Sequence, residues 1–187
     1  MTEVLSAPVI QNRAGASFLS GDRNAGSEAP AFDPRQLRNT LGNFATGVTV
    51  LTYESAGSNY GMTVNSFTSV SLEPPLVLVS LMRSSQALSY LMERPFAINV
   101  MGDDQLGTAL QFAGKPQDDL TIDWVLDESA PRISGSLAHF QCTPWAAYDG
   151  GDHVLLLARV ESFGQQDDGR PLLFHRGQWG ELASSGR

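Results

Sequence analysis

GMTVNSFTSVSLEPPLVLVSL, residues Gly61 to Leu81, holds two unlike halves. The first half is β-branched but too polar for an ordinary strand. Thr63, Asn65 and Ser66 crowd together, and Thr68, Ser69 and Ser71 follow. A strand with one buried face needs polar residues only at alternate positions. The second half, Leu76 to Leu81, is apolar on both faces, which predicts a buried central strand. Glu73-Pro74-Pro75 separates the two, because proline ends a strand and turns the chain.

Upstream, GVTVLTY (Gly47 to Tyr53) reads as a strand and Glu54 to Asn59 as a turn, so a β-hairpin leads into the Gly61 run. Before it, Asp33 suits an N-cap and Pro34 the first helical position. Leu37, Leu41 and Phe44 then form one apolar stripe. Downstream, Ser84 or Ser85 can cap a helix carrying Leu88, Leu91 and Met92, ended by Pro95. FAINVM (Phe96 to Met101) is a strand. Asp103 opens a helix that Gly114 closes. Lys115 to Ala130 reads as an irregular acidic excursion. Strands are expected at Ser134 to Thr143, His153 to Ser162 and Pro171 to Trp179. The whole is mainly β with short helices, an antiparallel β-barrel decorated by helices. Strands do not alternate with crossover helices, so a doubly wound parallel sheet does not fit. Residues 1–31, rich in Ser, Gly, Ala and Asn, read as a tail before one domain over 32–182, and 183–187 as a short C-terminal tail.

Composition narrows the function classes. With 42% hydrophobic and 17% charged residues, the chain reads as an ordinary soluble domain. Its apolar runs are too short to span a bilayer, and no basic-then-apolar leader opens it. The single cysteine, Cys142, permits no intrachain disulfide and no Cys-based metal cluster; an intracellular, cytoplasmic setting is expected. Net charge is −8, with one lysine and eleven arginines and no basic run, which argues against nucleic acid as a partner. Anionic ligands would then be held by local hydrogen bonds and a few placed arginines rather than drawn in by a long-range field.

Familiar catalytic signatures are missing. There is no GxGxxG, no GxxxxGK[ST] and no GxSxG, and His139, His153 and His175 stand alone without metal-ligand spacing. What remains is the neutral polarity of Gly61 to Ser71. It suits either a solvated strand face or a surface for a polar ring and a phosphate.

The run Gly61 to Leu81 resembles the opening half of the flavin reductase-like family, the reductase components of two-component flavin monooxygenases. The resemblance continues, in order, through ATGVTVLT (Ala45 to Thr52), FAINVM, LGTALQFAG (Leu106 to Gly114), GDHVLLLARV (Gly151 to Val160) and PLLFHRGQW (Pro171 to Trp179). It implies a flavin-binding split β-barrel, usually a homodimer. Such proteins take hydride from NADH or NADPH, reduce FAD or FMN, and release the reduced flavin to a separate monooxygenase. FAD and NADH are the expected pair here, with FMN and NADPH as alternatives.

The resemblance also implies roles for individual residues. Met62, Thr63, Val64, Asn65 and Ser66 would lie against the flavin ring and ribityl chain. Ser80, Leu81, Arg83, Ser84 and Ser85 form the block that follows the buried strand. Arg83, Ser84 and Ser85 would meet the phosphate at a helix N-terminus, where free N–H groups favour anions. Phe112, Ala113 and Thr46 would also be near the flavin. His153, the catalytic candidate, would face the flavin and help place the nicotinamide, with Arg176 nearby. His175 stands where the family commonly has Tyr. Plainer readings stay open: Ser84 or Ser85 as a simple cap, Phe112 as core, His153 as a structural residue. At the level of function, the alternatives are a flavin carrier or sensor, another split-barrel oxidase, and a purely structural barrel.

Overall fold

The computed structural model describes residues 32–126 and 129–183; the expected tail at 1–31 and residues 184–187 lie outside them. Helix α1 (Pro34–Leu41) is followed by strands β1 (Thr46–Gly47), β2 (Thr49–Ser55), β3 (Ser58–Val64), β4 (Thr68–Leu72) and β5 (Pro75–Met82). Helix α2 (Ala87–Glu93), strand β6 (Phe96–Val100) and, after a 3₁₀ turn at Asp103–Gln105, helix α3 (Leu106–Phe112) come next. Short strands β7 (Trp124–Leu126) and β8 (Pro131–Ile133) precede a long hairpin, β9 (Ala138–Gly150) and β10 (His153–Gln165). A small hairpin, β11 (Leu173–His175) and β12 (Gln178–Gly180), closes the order.

The polar run at Gly61 to Leu72 is two strands, and that break shapes the fold. The main sheet is antiparallel, in the order β3-β2-β6-β9-β10-β5-β4, so β3 and β4 are its opposite edges. Laid flat, seven strands would hold those edges about 29 Å apart, at roughly 4.8 Å per spacing. The chain from Val64 to Thr68 spans at most about 14 Å even when fully extended. The sheet must therefore roll up until its edges converge. They do not pair with each other, so the barrel stays split along this seam, bridged by Asn65-Ser66-Phe67. Ser66 lies opposite Ser80, continuing the register that pairs Thr68 with Leu78. Its hydroxyl accepts from Ser80 N at 3.0 Å and donates to Ser80 O at 2.9 Å. One side chain thereby supplies a rung that the backbone ladder lacks.

Inside the roll, Leu51, Val79, Leu81, Leu91, Phe96 and Leu156 anchor the larger core cluster. A second cluster around Val48, Val50, Met101 and Ala109 lies under α3. A polar knot joins β2, β6 and β8. Asn99, fully buried, donates to Val50 O and Thr52 Oγ1, each at 2.9 Å, and accepts from Ile133 N at 2.9 Å. Thr52 Oγ1 in turn donates to Pro131 O at 2.6 Å. Cys142 is buried, and desolvation, followed by the nearby Glu161 charge, pushes its thiol up to about 12. The folded state then keeps this proton while an unfolded chain would release it, so the contribution is lost as pH rises from the ordinary thiol range toward that value. A thiol reagent at about pH 8 should leave the native protein unmodified and label it once on denaturation. Rapid labelling of native protein would refute this burial.

Several expectations are corrected. Strand β5 is one strand in from the edge, and only Val77, Val79 and Leu81 are buried; Leu76, Leu78 and Ser80 are half-buried. Helix α2 begins at Ala87 with Gln86 at its N-cap, so neither Ser84 nor Ser85 caps it. Arg94, extended before Pro95, ends it as proline requires. The excursion from Lys115 to Ala130 includes β7, which pairs with β8. Pro171 to Trp179 folds as a hairpin, because Arg176 and Gly177, at φ 50 and 78, make the two-residue turn whose twist suits antiparallel strands. Asp33 and Pro34 do open α1, with Asp33 Oδ1 accepting from Arg35 N at 2.9 Å. Its apolar stripe, however, faces outward: α1 buries no residue.

Candidate functional site

Three adjoining cavities meet at the seam of the barrel, and Asn65 lines all of them. The first, about 350 Å³, is walled by Met62 to Ser66 on one side and by Ser80, Leu81, Ser84 and Ser85 on the other, with Met82 and His153. Ten positions expected from the sequence thus come together, drawn from β3, the seam, the end of β5 and the start of β10. All but His153 are uncharged at any ordinary pH. The second cavity, about 1080 Å³, opens between the end of α1 and the β11–β12 turn. Thr46, Ser66 and Arg176 line it, as do Arg38, Asn43 and Phe174. The third, about 180 Å³, adds Ala113 and Trp179 to the Thr63–Asn65 wall.

The polar groups divide into those already engaged and those available. Thr63 Oγ1 donates to Ala109 O at 2.7 Å and ties α3 to β3. The Ser66 hydroxyl forms the ladder rung described above. Ser85 Oγ lies 3.2 Å from Met62 Sδ. Asn65, by contrast, is exposed and its amide makes no hydrogen bond to the described residues. Thr46 Oγ1 is buried without a partner. Buried polar atoms are seldom left unpaired, so an unpaired one beside a cavity marks a place for a ligand group. Free amide, orphaned hydroxyl and neutral walls fit a planar ring with carbonyl and N–H edges.

His153 owes its place to a tight turn. Strand β9 ends at Gly150 and β10 begins at His153, paired with it. Of the two intervening residues only Gly151 has positive φ, at 79, as a type II′ turn requires of its first central residue. His153 Nδ1 lies 2.7 Å from Asp152 Oδ1. That hydrogen bond, and secondarily the histidine's charge, hold the Asp152 carboxyl below its ordinary range. The carboxylate therefore favours a proton on Nδ1 and leaves Nε2 outside this contact.

Two expected residues lie elsewhere. Phe112 lines none of the three cavities; it packs edge-on to Trp124 and across Gly61, where a Cβ would come within 2.7 Å of its ring. Its place is in the core, and Gly61 is a glycine because the ring covers it. Arg83 is also absent from the small cavity's wall. Its Nε donates to Gly151 O at 2.7 Å and its Nη2 to Asp149 Oδ1 at 2.9 Å. Arg176 does line the large cavity, with its guanidinium fixed by Asn43 Oδ1 and its backbone N donating to Gly42 O at 2.8 Å. Asn43, Arg38, Phe174 and Trp179 were not singled out from the sequence. The last two pair across β11–β12 with ring centroids 5.1 Å apart, a pattern that Phe and Trp flanking an Arg-Gly turn could have signalled. No group of three or more His, Cys, Asp or Glu side chains among the described residues could hold a metal.

An antiparallel barrel split at one seam, with a neutral cleft across the split, defines the class as a split β-barrel. The chain belongs to the flavin reductase-like domain family, which matches residues 41–183. It is 40% identical over 167 residues to an NADH-dependent flavin reductase of a Rhodococcus species, covering 87% of this chain and 94% of that protein. It is 39% identical to the reductase subunit HsaB of a flavin-dependent monooxygenase from Rhodococcus jostii, covering 87% and 84%. The solved structure of a Streptomyces globisporus NADH:FAD oxidoreductase, SgcE6, with NAD and FAD fragments superposes with a TM-score of 0.75. Identity is 38%, covering 85% of this chain and all of that one.

Proposed function

We propose that this protein is an NADH-dependent flavin reductase that reduces FAD and passes it, as a diffusible product, to a separate flavin-dependent monooxygenase. The observation that carries this is the convergence of Met62–Ser66, Ser80, Leu81, Ser84, Ser85 and His153 on one cavity that shares Asn65 with a larger one. Two cofactors must meet for such a reaction, and the two cavities share Asn65 and Ser66 in their walls. The kinship to an NADH-dependent flavin reductase and to a monooxygenase reductase subunit supports the same reading.

Bound flavin and nicotinamide supply the hydride chemistry, so the protein's task is binding and orientation. Asn65 and Thr46 offer hydrogen bonds to a ring edge or ribityl chain. Ser84 and Ser85 offer hydroxyls to a phosphate. His153, held through Nδ1, borders the nicotinamide, and Arg176 and Arg38 supply positive charge in the larger space of an otherwise acidic protein. No nucleophile or general-base triad is needed. Neutral groups around the ring, with no Lys or Arg from Gly61 to Ser71, favour neither redox state strongly, which lets the product leave. The protein acts in the cytoplasm as a homodimer. An apolar groove of about 720 Å³ beside the exposed Leu72 and Phe163 offers the surface for a second copy. Sedimentation should give twice the chain mass, and a monomer at micromolar concentration would contradict it. No helix among the described residues is long and apolar enough to cross a membrane.

The defining assay is NADH oxidation with FAD or FMN added. Flavin-dependent oxidation is expected; none with either flavin and either NADH or NADPH would refute the enzyme reading. Flavin binding without oxidation would instead favour a carrier or sensor. Asn65→Ala should weaken FAD binding about tenfold, the loss of one or two hydrogen bonds. Fluorescence titration checks this, and unchanged affinity would remove Asn65 from the site.

A further inference from the structure

We infer that Arg83 is a positioning residue: it clasps the β9–β10 turn and so holds His153 against the flavin wall. This rests on the reading of His153 as the residue that places the nicotinamide. Three donors of Arg83 converge on one turn. Its backbone N donates to Asp152 O at 3.0 Å, Nε to Gly151 O at 2.7 Å, and Nη2 to Asp149 Oδ1 at 2.9 Å. Asp149 Oδ1 also accepts from Gly151 N at 2.9 Å, closing the turn on itself. The arginine follows Met82, the last residue of β5, which pairs with His153. The clasp thus ties together two sides of one cavity: the wall formed by Ser80, Leu81, Ser84 and Ser85, and the turn that presents His153.

The pair is half open to solvent, with side-chain exposures of 46% and 37%, so as an isolated salt bridge it would contribute little. Its value is geometric. The planar Arg fork fixes the directions of two acceptors at once, which a freely rotating ammonium does not impose. A turn of two residues bearing a glycine has few other restraints, and a loosened turn lets the His153 ring wander.

The test compares Arg83→Ala and Arg83→Lys in the full-length enzyme. Arg83→Ala should raise KM for NADH about five- to tenfold, with kcat and FAD affinity changed less than about twofold. Arg83→Lys should recover part of that loss. In a His153→Ala background, Arg83→Ala should add nothing further to KM, because its effect passes through that ring. An additive rise there would overturn the proposal. So would a loss of FAD affinity with KM unmoved, which would make Arg83 a phosphate ligand. Amide hydrogen exchange at residues 149–153 reads the clasp independently of turnover. Exchange should quicken in Arg83→Ala, and unchanged exchange would overturn the clasp. If exchange quickens but His153→Ala leaves KM for NADH unaltered, the clasp stands and the assigned role of His153 fails.

Discussion

His153→Ala should raise KM for NADH roughly 10- to 100-fold while leaving FAD affinity nearly unchanged, the loss of one stacked, hydrogen-bonding ring worth about 1–3 kcal/mol. His153 is the one ionisable side chain in the small cavity's wall, and both its backbone and its ring are held. The turn at Gly151-Asp152 sets the backbone, and Asp152 Oδ1 fixes Nδ1 at 2.7 Å. Steady-state kinetics at saturating FAD measure the effect. Equal losses in FAD affinity and KM would instead make this histidine a general structural support. A pH dependence follows from Asp152. Its carboxyl is held below the ordinary range, so its support of Nδ1 is present throughout neutral pH and is lost only as pH falls through the lowered value. Asp152→Asn should therefore remove a dependence at the acid limit and leave the alkaline side unaltered.

Asn99→Ala should destabilise the fold by about 3 kcal/mol or more, among the larger effects of a single substitution. The amide makes three hydrogen bonds in a fully buried place. Its removal strands Ile133 N–H without an acceptor and takes a donor from Val50 O and Thr52 Oγ1. It also removes one of the ties between β8 and the main sheet, leaving that of Thr52 Oγ1 to Pro131 O. Denaturant unfolding gives the value directly, and in a domain of this size Tm should fall by roughly 6–12 °C. A loss under about 1 kcal/mol would mean that water or a relaxed backbone satisfies these groups.

Much of this was legible in the chain. The strand-forming blocks, the helix opened by Asp33-Pro34 and the mainly antiparallel order follow from periodicity and turn residues. Of the blocks that carried the family resemblance, the Gly61 run and GDHVLLLARV share the small cavity, while ATGVTVLT and PLLFHRGQW border the larger one. Other features depend on tertiary placement. Thr63 to Ser71 looked like one over-polar strand; its middle is the bridge across the seam, and Thr68, Ser69 and Ser71 lie on an edge strand with one open side. Arg83 in an acidic chain invites a phosphate, yet its acceptors come from a turn 66 to 69 residues away, visible only once β5 and β10 are paired. Asn99 within FAINV shows no sign in sequence that it is a buried knot, since its partners lie on β2 and β8. The apolar stripe was read correctly at Leu37 and Leu41, whereas Phe44 lies beyond the end of α1, and periodicity alone does not say what that face meets.

The half-saturating FAD concentration for NADH oxidation, measured side by side in the wild-type protein and in Asn65→Ala, tests the assignment of the seam cleft as the reducing site most directly. The expected result is flavin-dependent oxidation in both, with that concentration raised about tenfold by the substitution. Oxidation that ignores added flavin, or a half-saturation point identical in the two proteins, would contradict it.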